Sequence, residues 1–177
     1  MIDFIAIARQ IHHHANASFL ALSGNLAISD WLALLAVFAA SAAAARISMA
    51  AYCIVALPGT AAHELMHYLT ALVLRARPGL PSVIPERTSS GWRLGSVKFS
   101  AGLLRSVPIA LAPLALAPLS LWWANSTLPR VDGAMYALHA WGAATAFAAS
   151  MPSRADWSIA APALLLAAVL LGVSYAV

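Results

Sequence analysis

His63, Glu64 and His67 stand in the order H-E-x-x-H inside a run, Ile47 to Leu74, that holds no other charged side chain. On an α-helix residues four apart differ by about 40° in direction, so the two imidazoles share one face about 6 Å apart, a spacing that suits two ligands of one tetrahedral zinc ion. Glu64 is turned about 100° from His63, which bars it from joining the pair as a third ligand but lets it reach a water that the metal holds. Zinc lowers the pKa of such a water toward about 7, and a carboxylate placed beside it can take the proton as the oxygen attacks a peptide carbonyl. With six histidines and only Glu64 and Glu86 as glutamates, the pattern arises in roughly two of a thousand shuffles of this composition. The competing reading is an interhelical polar cluster without metal. Ionisable groups inside an apolar span are costly and mark function by default.

A catalytic zinc takes a third protein ligand and keeps one position open. Asp156, His139, Glu86 and the run His12 to His14 are the candidates. Asp156 is favoured, because the two spans between Leu103 and Ser150 run in opposite senses and return the chain to the side where the motif helix ends. It also follows Met151-Pro152-Ser153, a break whose unwound backbone would line a polar cavity. His139 is the alternative, and otherwise reads as a core histidine bonded to a neighbouring helix. His12, His13 and His14 read as a solvated stripe.

The segments that carry these residues read as an all-α multi-pass membrane protein. Of the 177 residues 62% are hydrophobic and 9% charged, with a mean hydropathy of +0.82, against about 45–50% and about 25% in soluble domains. Apolar residues at Phe4, Ile7, Ile11, Ala15, Phe19 and Leu22 oppose Arg9, Gln10, His13 and Asn16, which predicts an amphipathic segment over 1–26 lying at the membrane surface. About five transmembrane or membrane-associated helices follow: Trp31 to Ala45 with Asp30 as N-cap, Ile47 to Leu74 with a break or kink at Pro58 and Gly59, Leu103 to Ala124, Gly133 to Ser150, and Trp157 to Val177. Pro108, Pro113 and Pro118 should kink the third. Asn125 to Asp132 reads as a turn. The loop 78–100 is rich in Pro, Gly and Ser, and its alternation of Trp92, Leu94, Val97 and Phe99 with polar residues predicts a short β-hairpin or re-entrant loop. No repeat or linker divides the chain, so one domain over 1–177 is expected.

The net charge of +4 does not point to nucleic acid, since the cations flank apolar spans rather than forming a basic face with stacking aromatics. They read as topology determinants and contacts to the lipid bilayer. Arg75, Arg77, Arg87, Arg93, Lys98 and Arg105 against Glu86 place the loop after the motif helix in the cytoplasm, and with it the Met151 to Asp156 break. The lone Cys53 reads as a packed thiol. No cleavable secretory signal is expected, because Asp3, Arg9 and the histidines interrupt the first apolar stretch.

HELMH within a membrane span, a downstream Asp after a proline-containing break, and a compact multi-span core resemble the site-2 protease family (peptidase family M50), in a compact form without a PDZ domain. The resemblance covers about Leu57 to Trp157. It implies His63 and His67 as zinc ligands, Glu64 as catalytic acid/base, Asp156 as third ligand, one zinc per chain, and cleavage of a transmembrane protein substrate within the bilayer. The loop after the motif helix would resemble the family's membrane-associated β-structure, which can pair with an unwound substrate strand. The expected location is the inner membrane of a prokaryotic cell, with the active site opening toward the cytoplasm. Two departures stand out: Met66 occupies the place before the second histidine where the family often has Gly, and Pro152-Ser-Arg-Ala-Asp156-Trp157 replaces its usual Pro-x-Leu-Asp-Gly. A membrane metal carrier or sensor, and a non-catalytic zinc-binding partner of other membrane proteins, are the alternative functions.

Overall fold

A computed structural model describes residues 4–88 and 91–176; residues 1–3, 89–90 and 177, which belong to the expected N-terminal segment, loop and last span, lie outside it. The chain is mostly helical, in the order α1 (Phe4–Ser23), α2 (Ile28–Ile47), α3 (Met49–Val73), β1 (Glu86–Thr88), β2 (Gly91–Arg93), α4 (Leu103–Leu111), α5 (Leu116–Thr127), α6 (Gly133–Ala148) and α7 (Arg154–Ala176). A 3-10 turn over Ala112–Ala115 joins α4 to α5 and another over Leu128–Arg130 prolongs α5, so that Leu103–Arg130 runs as one continuous 28-residue rod. This rod and α2 are the two helices, among the described residues, long and apolar enough to cross a membrane.

Several helix ends differ from the sequence reading, and each for a local reason. α2 begins at Ile28, within the extension over Ala27 and Ile28 that a span of bilayer length requires, and the Asp30 carboxylate reaches back to accept the Ala27 N–H at 2.8 Å, so Asp30 serves the first turn from inside it instead of capping it. Asn125 to Arg130 are helical, not a turn: Ser126 and Thr127 return their hydroxyl protons to the carbonyls of Trp122 and Trp123, and the Asn125 side chain accepts the Asn25 N–H at 2.8 Å. α7 starts at Arg154, three residues before Trp157. α3 passes through Pro58 and Gly59 as one uninterrupted helix. Gly59 is present for contact and not for a break, since a Cβ there would collide with the Thr145 carbonyl of α6.

α3 is the central element, flanked by α2, α4 and α6, while α7 packs on α4. The interior is built of small side chains. Ala124, Ala140, Ala143 and Ala144 form one buried cluster with Leu34 and Leu128, and Ala71, Ala76 and Ile109 another. Large apolar side chains face outward instead, with Ile28 at 80%, Ile54 at 68% and Val73 at 80% exposure. The apolar residues Ile11 and Phe19 of α1 are likewise exposed, and Phe19 stacks on Trp31 of α2.

α3 ends in paired backbone bonds, Ala76 N–H to Ala71 C=O at 2.8 Å and Arg75 N–H to Leu72 C=O at 3.0 Å, with Arg75 in the left-handed region at φ 54°. The loop that follows is the hairpin: β1 pairs antiparallel with β2, Ser82 bridges Ser96, and the Gly79 N–H reaches the Lys98 carbonyl. Its base is closed where the Ser100 N–H bonds the Ala76 carbonyl at 2.8 Å.

The α3–α6 crossing at Gly59 yields the first test. Gly59→Ala should lower stability by about 1–3 kcal/mol through overpacking, read as an earlier thermal transition in detergent. Gly102→Ala, whose added methyl meets nothing within 4 Å, should leave the transition in place.

Candidate metal centre

His63 and His67 project from α3 toward the junction of α4, α6 and α7. Each ring is held by a backbone carbonyl: His63 Nδ1 lies 2.7 Å from the Ala149 oxygen and His67 Nδ1 2.7 Å from the Ile109 oxygen. A carbonyl only accepts, so both Nδ1 atoms carry the hydrogen and both Nε2 atoms present a lone pair. The two Nε2 atoms are 3.1 Å apart.

Asp156 completes the group, with Oδ1 at 3.2 Å from His67 Nε2 and Oδ2 at 3.5 Å from His63 Nε2. It lies in the first turn of α7 and not in the unwound break. The Ser153 N–H donates to Asp156 Oδ2 at 2.6 Å and the Asp156 N–H to Ser153 Oγ at 3.3 Å, a reciprocal capping box. The S-x-x-D spacing before an apolar run is the sequence signal for this placement. It fixes the carboxylate before any ligand arrives.

The donor set fits a metal ion. Ligand atoms about 2.0–2.1 Å from a tetrahedral zinc lie about 3.3 Å from one another; here the two Nε2 atoms are 3.1 Å apart, and one atom from each of the three residues lies within 4.8 Å of the others. Two neutral imidazole lone pairs and a carboxylate so close together repel unless a metal ion or a proton lies among them. His63, His67 and Asp156 are the one such group among the described residues, and it could hold a metal ion.

Glu64 is buried on the neighbouring face of α3, at 6% exposure, and is walled in by the hairpin. A Cβ at Gly95 would lie 2.6 Å from both Cγ and Oε1 of Glu64, so the second arm of the hairpin crosses the carboxylate as bare backbone. Ser96 exchanges both backbone bonds with Ser82, which turns the N–H and C=O groups of Gly95 and Val97 to the opposite edge. No backbone group pairs with them among the described residues. That edge borders a cavity of about 930 Å³ whose walls include His63, Glu64, His67, Asp156, Arg93 and Lys98.

The other candidate ligands stand apart. His139 accepts the Trp123 indole N–H at 3.1 Å within the α5–α6 contact. His12 pairs with Asn16 at 3.2 Å on the exposed face of α1. Glu86 lines the cavity from β1 without joining the three ligands. The carbonyls of Ile109 and Ala149 have no side-chain signature in the sequence and were not anticipated.

Comparison of the chain with models of known protein families, with curated proteins and with solved structures gives no match.

The geometry predicts about one divalent ion per chain by elemental analysis of the purified protein. His63→Ala and His67→Ala should abolish binding and Asp156→Ala weaken it, whereas His139→Ala should retain full occupancy. Loss of metal in His139→Ala alone would place the centre elsewhere.

Proposed function

We propose that the chain is a zinc-dependent intramembrane endopeptidase that hydrolyses peptide bonds of transmembrane protein substrates. The observation that carries this reading is the three-ligand cluster with a fourth, non-ligating carboxylate beside it on a cavity wall. Two imidazoles and one carboxylate leave a zinc coordination position open, which separates a catalytic from a structural site.

Four features support the membrane setting. Two helices have the length and composition to span. The packing places alanines inside and large apolar side chains outside, as expected where lipid replaces water around helices joined through small residues. Soluble monomers rarely expose contiguous apolar patches beyond a few hundred Å². Six cations between Arg75 and Arg105 favour a cytoplasmic hairpin. With Arg75 at the headgroups, His67 eight residues earlier lies about 12 Å into the bilayer. Water then reaches it through the cavity beneath the hairpin.

His63, His67 and Asp156 would hold the ion, oriented by the two carbonyls and the capping box. Zinc, when bound, lowers the pKa of a water toward about 7 and polarises the scissile carbonyl. Glu64 takes the proton from the attacking water and returns it to the leaving nitrogen. The unpaired edge at Gly95 and Val97 can receive an unwound substrate segment as an added strand, setting its backbone alongside Glu64.

Glu64→Gln should keep zinc and lose cleavage of a reconstituted transmembrane substrate by about 100-fold or more, since an amide cannot accept the proton. Undiminished cleavage by Glu64→Gln would remove the proposed base.

Single cysteines test the orientation in a Cys53→Ser background. Ser96→Cys and Ser153→Cys, both on the cavity, should react with an impermeant thiol reagent from the cytoplasmic face alone. Ser126→Cys should react from the opposite face alone. Labelling of Ser96→Cys and Ser126→Cys from one side would overturn the proposed topology.

A further inference from the structure

The two carbonyls that hold the histidines share a feature that neither the ligand set nor Glu64 requires. In an α-helix the carbonyl of residue 109 would accept the N–H of residue 113, but residue 113 is proline. Pro113 has no N–H, and its ring pushes the carbonyl four residues back out of the helix axis. The helix responds by tightening to 3-10 geometry over Ala112–Ala115, so the Ile109 oxygen takes only the Ala112 N–H from its own backbone. Its second lone pair meets His67 Nδ1 at 2.7 Å.

A second proline does the same for His63. Past the end of α6, the Ala149 carbonyl would accept an α-type bond from the residue 153 N–H or a 3-10 bond from the residue 152 N–H. Residue 152 is proline, and the Ser153 N–H is committed to Asp156 Oδ2. The Ala149 oxygen is thus left without a backbone donor and receives His63 Nδ1. Pro113 and Pro152 are both buried beside the carbonyls they vacate. Proline alone does not explain this: Pro118 vacates the Leu114 carbonyl, and no side-chain donor reaches that oxygen among the described residues.

We propose that Pro113 and Pro152 are positioning residues of the metal centre, each keeping one carbonyl free so that His67 and His63 respectively are locked as the Nδ1–H tautomer with Nε2 facing the ion. Partners that orient a ligating imidazole typically change metal affinity about 10–100-fold when disrupted. The inference rests on the metal-centre part of the proposed function and not on peptide cleavage, so a chain that binds zinc without cutting leaves it intact.

The test pairs zinc affinity, by chelator competition, with ring-nitrogen NMR of histidine-labelled, metal-free protein in detergent at about pH 9, where imidazoles are neutral. Pro113→Ala restores a backbone donor beneath Ile109 and should turn His67 into a mixture of tautomers while leaving His63 as it was. Pro152→Ala should do the reverse. Each should weaken zinc binding about 10–100-fold, and Pro118→Ala should change neither readout. Unchanged tautomers, an equal disturbance of both rings in each variant, or shifted tautomers with unchanged zinc affinity would overturn the proposal.

Because Pro113 is buried, its ring also packs. A further variant, with the α-hydroxy analogue of alanine at position 113, removes the ring but forms an ester that has no N–H. It should keep the wild-type tautomer and affinity. Weaker zinc binding or a mixed His67 tautomer in this variant, measured against the wild type, would assign the effect to packing and overturn the proposal, whether or not Pro113→Ala folds.

Discussion

Three acceptor groups held this close repel one another. His63 Nε2, His67 Nε2 and the Asp156 carboxylate stand 3.1 to 3.5 Å apart, a spacing that becomes favourable when a proton or a metal ion is shared among them. The rest of the fold supplies what the cluster cannot. Each imidazole gives its Nδ1 hydrogen to a carbonyl on a different element, the carboxylate is gripped by the capping box of α7, and α3 is wedged against α6 through Gly59 closely enough for His63 to reach Ala149. The fold thus holds the donor atoms in place, and a cation among them would relieve the repulsion between their lone pairs.

What could be read from the sequence follows from how far each feature depends on its neighbours. The pairing of His63 with His67 is a property of a single helix, so spacing alone reveals it. The hairpin was also legible, because polar and apolar residues alternate locally between Trp92 and Phe99, and its antiparallel pairing is present. Asp156 was identified as the favoured ligand but set in an unwound break; the Ser153-x-x-Asp156 box extends α7 past it. Pro58 and Gly59 were read as a break or kink, because a glycine's use as a contact surface is decided by Thr145, 86 residues further on. The two anchoring carbonyls belong to Ile109 and Ala149, whose side chains say nothing about them.

The hairpin and the helices divide the work by the same rule of bare backbone. Where α3 meets α6, glycine removes a side chain so that two helices can touch. Where the second hairpin arm meets Glu64, glycine removes a side chain so that a strand can lie on a carboxylate. The second contact puts main chain, with its fixed dipoles, next to the Glu64 carboxylate. Side chains there would be free to rotate, and a strand edge is not. The alanine-rich interior extends this logic, since small side chains let α2, α5 and α6 approach closely.

The distance along the chain between the parts of the centre has a consequence for synthesis. Ala149 follows His63 by 86 residues, and the carboxylate comes later still. At about 5–20 residues per second, a ribosome that has just delivered the two histidines needs roughly 4–17 s to supply the carbonyl that orients the first of them. Throughout that interval His63 lacks both the Ala149 carbonyl and the Asp156 carboxylate. The three side chains come together only when α7 has docked on α4.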